Sequence, residues 1–214
     1  MGKAIPLDND THWNSWFNEV DVVLEKCKEL RDWQDINYRE IKKDFLSHED
    51  FQELEDIHEF LHPFFSTTKG TESEASTLDE MLSSMDFLIE HYKQMKLKYK
   101  DNSKMMSRII ASWYKFDKYY QLTDDSPVYA AAILLNLSLQ KKYFEQVWAY
   151  QEEYIEPAIQ KAREMWQFNF KPVATMKATE TIKDPFKRWK NQVLGWLEIE
   201  DEFENFIEVR STTY

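Results

Sequence analysis

Glycine occurs three times in 214 residues and proline six times. Turn-dense β architectures and phosphate-cradling loops need glycine for φ > 0 or for close backbone approach. No GxGxxG, GxxxxGK or GxSxG pattern is present. Cysteine occurs once, at Cys27, so an internal disulfide and a thiol-rich zinc site are both excluded. Lys26 and Lys28 flank it, but adjacent side chains on a helix point apart, and Cys27 reads as a core residue. No apolar run reaches the length of a membrane span, and no signal-peptide core is visible. Pro6 stands where a myristoylation signal requires Ser or Thr. The expected setting is the nucleus or cytoplasm, with no membrane partner and no secretion.

What the chain does hold is apolar and aromatic. Apolar residues make up 43% and aromatics 15%, enough for one sizeable core. The expected fold is all-α: an irregular multi-helix bundle of long amphipathic helices, with little or no sheet. The formal charge is −12, which argues against a free-standing DNA binder. The charge is uneven. Lys93, Lys96, Lys98, Lys100, Lys104, Arg108, Lys115 and Lys118 stand against only Asp101 and Asp117. This basic stretch reads as a solvated helical face. With Tyr92, Tyr99, Trp113, Tyr114 and Tyr119 beside it, it also reads as a stacking surface for a nucleic-acid strand.

Helix signals are well punctuated. Thr11 can cap a helix carrying Trp13, Trp16, Phe17, Val20, Val23, Leu24 and Cys27 on one face. Ser47 to Asp50 form a capping box for a helix that Pro63 should kink or stop. Residues 66–76 read as a loop. Thr77 to Glu80 open a long amphipathic helix, and another runs from about Ser103 to Tyr120 with Met106, Ile109, Ile110 and Trp113 inward. Ser126 and Pro127 start a short buried helix. Ser138 can cap the next, and residues 150–169 continue as helix with a bend at Pro157. The expected division is a helical domain over 1–170, a linker over 171–184, and an acidic amphipathic segment over 185–214.

Two Glu-x-x-His pairs, Glu55 with His58 and Glu59 with His62, have the spacing of carboxylate-bridged metal sites. Such sites need a matching pair from a second helix, and His91 lies at the wrong spacing. No nucleophile–base arrangement stands out. The expectation is no catalytic residue, no metal and no cofactor.

Several segments together resemble the hAT superfamily of DNA transposases. DNDTHWNSWF resembles the family's Thr-Arg-Trp-Asn-Ser segment. LEDIHEFLHPFFSTTKGTESEASTLDEML resembles its helix with Leu-x-Pro-Phe and the Thr-containing loop that follows. KFDKYYQLTDDSPVYAAAILLNLSLQKKYFEQVW resembles the Ala-Ala-x-x-Leu-Asn-Pro segment of fungal members, and DPFKRWKN resembles the stretch before the C-terminal dimerisation region. The likeness runs from about Leu7 to Glu208. It implies the helical insertion domain that interrupts an RNase H-like core. The family's three metal-holding acids would then lie outside this segment, and the chain would be no enzyme by itself.

In the family, the tryptophan of the Arg-Trp pair stabilises a flipped base when the DNA end forms a hairpin. The resemblance puts that role on Trp13. The arginine's place is taken by His12, which lacks a guanidinium's fixed fork and permanent charge. Leu137 stands where the family usually has proline. The candidate nucleic-acid-binding residues are His12 and Trp13 by resemblance, and Lys93, Lys96, Lys100, Lys104 and Arg108 from the basic stretch. The expected partners are DNA, as transposon ends or hairpins, or a full-length transposase or other protein. The alternative is a DNA-indifferent interaction module working through its acidic C-terminal segment.

Overall fold

Ser47 and Asp50 close a reciprocal cap: Asp50 N–H donates to Ser47 Oγ at 3.1 Å, and Ser47 N–H donates to Asp50 Oδ2 at 2.8 Å. From that cap one helix runs from His48 to Thr71. The computed structural model describes residues 13–74, 76–171, 184–186, 188–189 and 202–207. In chain order the helices are α1 (Trp13–Glu25), α2 (Cys27–Ile36), α3 (Tyr38–Ile41), α4 (His48–Thr71), α5 (Leu78–Lys98), α6 (Ser103–Thr123), α7 (Pro127–Leu135), α8 (Gln140–Val147), α9 (Ile155–Asn169) and α10 (Glu202–Ile207). The described residues form no strand, so the all-α expectation is met. None of their helices is long and apolar enough to cross a membrane.

The chain divides into two compact units. One takes residues up to Thr77 and Ser84–Asp117; the other takes Leu78–Ser83 and residues from Lys118 onward. The division expected from composition lay elsewhere, near 171–184. Most of that stretch is outside the described residues, and the described part of the acidic segment belongs to the second unit.

In the first unit, α1 packs on α4 through Phe17, which lies between the rings of His58 and Phe65. The two stacking distances are 4.5 and 4.4 Å. Each such pair adds about 0.5–1.5 kcal/mol beyond area burial. Helix α1 does not run on through Cys27 as expected: the chain turns at Lys26, α2 starts there, and Cys27 is only half-buried. Within α2, Gln34 is buried but satisfied, because Leu46 N–H donates to its Oε1 at 2.8 Å.

Pro63 neither stops nor ends α4, and the expected loop from residue 66 is helical as far as Thr71. Proline removes the N–H that would serve a carbonyl one turn back. His91 of α5 lies with Nε2 2.9 Å from the adjacent carbonyl of Phe60, and a carbonyl can only accept, so that nitrogen carries the proton. The Thr67 hydroxyl sits 3.0 Å from the carbonyls of both Pro63 and Phe64. These donors add side-chain hydrogen bonds to carbonyls on either side of the proline. Around it Phe60, Tyr92, Met95, Tyr99, Met105 and Ile109 form the core of this unit. On α6 the buried residues are Met105 and Ile109, while Ile110, expected inward, is exposed.

The core of the second unit gathers Leu82, Ala130, Ala131, Ile133, Leu134, Phe144, Ile159, Ala162, Phe203 and Ile207. Helix α7 begins as expected: Ser126 accepts from Val128 N–H and Pro127 fills the first turn. Its other end is held by Asn136, which donates to Asp79 Oδ2 at 2.8 Å and accepts from Ser138 N–H at 2.9 Å. Asn136 thus organises the turn expected of Ser138, and α8 starts only at Gln140. Residues 150–169 are not one bent helix. A short 3-10 turn, Glu152–Tyr154, precedes α9. Pro157 therefore falls in the first turn of α9, where its missing N–H would have had no partner.

Candidate nucleic-acid interface

Trp13 opens α1 and keeps 41% of its surface exposed. Its ring meets Phe17 and Phe65 edge-on, each with centroids 6.1 Å apart. Trp13 is thus the rim of the Phe17 stack, while Phe17 itself is its buried centre. The cation on this aromatic group is Lys69, whose Nζ lies 5.9 Å from the Phe65 centroid. Lys69 was not expected, since its place on α4 depends on the helix continuing past Pro63. His12 lies outside the described residues.

The basic stretch is arranged differently. Lys93 lies 3.6 Å from Glu90 on the same helix. Lys104 and Arg108 both bind Glu53 of α4. Lys98 binds Glu59, whose Oε2 also accepts from the Tyr99 hydroxyl. Lys96 lies over the Trp113 ring, 4.5 Å from its centroid. Lys100 stands exposed in the turn after α5. The structure brings Lys104 and Arg108 together on one carboxylate and places Lys96 with Lys98 near the end of α5.

These pairs shift the acids. The hydrogen bonds of Lys104 and then Arg108 hold the Glu53 carboxyl below its usual range. The Ser47 backbone N–H does the same for Asp50. Tyr99 is pushed the other way, first by burial and then by the charges of Glu59 and Asp56. Its hydroxyl lies 3.1 Å from a carboxylate oxygen of each. An open depression of about 290 Å³ beside these groups is lined by His48, Glu53, Asp56, Lys104 and Arg108. Its lining mixes both signs, so a phosphate entering it meets carboxylates along with the cations. Sequence spacing could not reveal Glu53 and Glu59 as partners, because they lie 39 to 55 residues from their bases.

The Glu-x-x-His pairs do not converge. His58 stacks on Phe17 with Nε2 3.3 Å from Asp21, and Glu59 faces Lys98. Among the described residues no three His, Cys, Asp or Glu side chains are placed to hold a metal ion. In the second unit, a cleft of about 200 Å³ is lined by Asp124, Tyr129, Trp148, Tyr154 and Lys161. Lys161 donates to the Asp124 carbonyl there at 2.6 Å.

Of the acidic C-terminal segment, the described helix α10 turns its apolar side inward, while Phe186 and Trp189 are exposed. Phe203 and Ile207 of α10 are 7% and 4% exposed, and Phe203 lies 5.9 Å from the Trp166 ring. Gln140 Nε2 donates to the Phe206 carbonyl at 2.8 Å, and Arg163 binds Glu204. No family model, curated protein or solved structure matches the chain.

Proposed function

We propose that this chain is a helical module descended from the insertion domain of an hAT-type transposase, without catalysis of its own, that works in the nucleus or cytoplasm by binding another protein. The resemblance supports the ancestry. The observation that favours protein over DNA is the pairing of the basic stretch. Lys93, Lys98, Lys104 and Arg108 each face a carboxylate of the same unit. A phosphate must displace that carboxylate before it gains the cation, and the −12 charge opposes its approach. The partner is a full-length transposase or an unrelated protein.

A second reading, binding of DNA ends, draws on Trp13. An exposed indole edge with Lys69 close by offers a face for an unstacked base. Fluorescence anisotropy with labelled single-stranded and hairpin DNA separates the two readings. The expected result is no binding at about 50 mM salt, where phosphate contacts are strongest. Binding that weakens with salt and with Trp13→Ala or Lys96→Ala would establish the DNA reading instead.

A further inference from the structure

We propose that the cleft between the end of α6 and the first turns of α7 and α9 is a binding site for a free aromatic amino acid. The site lies within the second unit and does not depend on whether the chain contacts protein or DNA.

Tyr129, Trp148 and Tyr154 give the cleft three aromatic rings, and Leu82 and Ala130 give it buried apolar surface. The Trp148 ring is set by the fully buried Phe144, which meets it with centroids 4.7 Å apart at a steep angle. Such a lining receives another ring by edge-on or offset contact. At about 200 Å³ the cleft is smaller than the roughly 300–1,000 Å³ of sites for drug-sized ligands, so its occupant is small.

Bonds already made narrow the polar lining. The Thr123 hydroxyl donates to the Tyr120 carbonyl at 2.6 Å, and Ser126 Oγ accepts from Val128 N–H at 3.4 Å. The charged lining groups are Lys161 and Asp124. Lys161 Nζ donates to the backbone carbonyl of Asp124 at 2.6 Å. An ammonium has three donors, so two remain, and a carbonyl leaves its charge unneutralised. Among the described residues Lys161 meets no carboxylate, in contrast to Lys98, Lys104 and Arg163. The exposed Asp124 carboxylate meets no cation among them.

One cation and one anion thus reach the cleft from neighbouring positions without pairing with each other. An α-amino acid carries the complementary pair, a carboxylate and an ammonium on one carbon. Its carboxylate meets Lys161, its ammonium meets Asp124, and its ring enters among the three aromatics. The zwitterion is neutral overall, so the −12 charge of the chain does not oppose its entry as it opposes an anion's.

Isothermal titration of the whole chain with three probes tests this. The probes are L-phenylalanine, 3-phenylpropionate, which lacks the ammonium, and phenethylamine, which lacks the carboxylate. Phenylalanine is expected to bind about ten times more tightly than either, the usual worth of one hydrogen bond to a charged group. Lys161→Gln keeps a donor for the Asp124 carbonyl and should bring phenylalanine down to the level of phenethylamine. Asp124→Asn should bring it down to the level of 3-phenylpropionate. Amide shifts of the unmodified chain on adding phenylalanine should gather at residues 123–130 and 154–161. Equal affinity for the three probes, no saturable phenylalanine binding in the millimolar range, or shifts centred elsewhere would each overturn the proposal. So would either variant binding phenylalanine as tightly as the parent chain.

Discussion

Asn136 and Asp79 lie 57 residues apart in sequence and share a hydrogen bond of 2.8 Å. It ties the start of α5 to the end of α7. Asn136→Asp would set two carboxylates against each other and lose the donor. We expect a loss of about 1–3 kcal/mol, the usual effect of leaving a polar partner unsatisfied. Urea denaturation would measure it, and an unchanged midpoint would show that the bond adds nothing.

Trp13 and Phe17 belong to one aromatic group but carry different loads. Phe17→Ala removes a ring held between His58 and Phe65, and should cost about 3–5 kcal/mol. Trp13→Ala removes a half-exposed rim and should cost roughly 1–2 kcal/mol. Equal losses in denaturation would mean that Trp13 is as central to the core as Phe17.

Glu53 and Glu59 hold Lys98, Lys104 and Arg108. Glu53→Gln with Glu59→Gln should release all three and create single-strand binding at low salt. Three freed cations predict a slope of log K against log salt of about −2. If the double variant binds DNA no better than the parent chain, neutralisation by these acids is not what keeps the surface from DNA.

Stability should fall on acidification. The folded chain holds the Glu53 and Asp50 carboxyls below their usual ranges, so it favours the ionised forms. Their contribution is fully present above the unfolded range, about pH 4, and is lost as pH falls through the folded values. Urea midpoints measured from pH 7 to pH 3 would show this, with a shallower decline in Glu53→Gln.

At the alkaline end the sign reverses. Burial raises the Tyr92 hydroxyl above its usual range, and burial with the charges of Glu59 and Asp56 raises Tyr99 further. The folded chain keeps those protons when the unfolded chain has lost them, so stability should drop above about pH 10. Ultraviolet titration should find Tyr92 and Tyr99 titrating late, and Tyr99→Phe should remove one late group. Normal titration of all tyrosines would contradict this placement.

The sequence carried the helical class and the starts of the best-capped helices. Ser47 with Asp50, and Ser126 with Pro127, act within four residues, so spacing alone identifies them. Pro63 was expected to kink or stop its helix, yet α4 runs through it to Thr71, and the His91 contact beside it comes from 28 positions further on, where no local pattern announces it. Asn136 looked like a family signature and proved to be a long-range tie. The basic stretch was visible as composition, whereas its acid partners lie on another helix. The acidic segment read as a free amphipathic face. Its described helix α10 packs into the core that the consecutive helices α7, α8 and α9 build together, a long-range contact that periodicity does not report.

The interleaving of the two units has a consequence for synthesis on the ribosome. The first unit holds nothing beyond Asp117, so its core can close before residues 118–207 are made. The second joins Leu82 to Phe203 and Ile207, and waits for those two to emerge. Closing so long a loop is slow, because chain entropy is spent before the contacts form. During that interval the nascent chain presents Ile133, Leu134, Phe144 and Ile159 without Phe203 and Ile207. Chaperones or an early partner would have their longest access to the chain there, before α10 arrives.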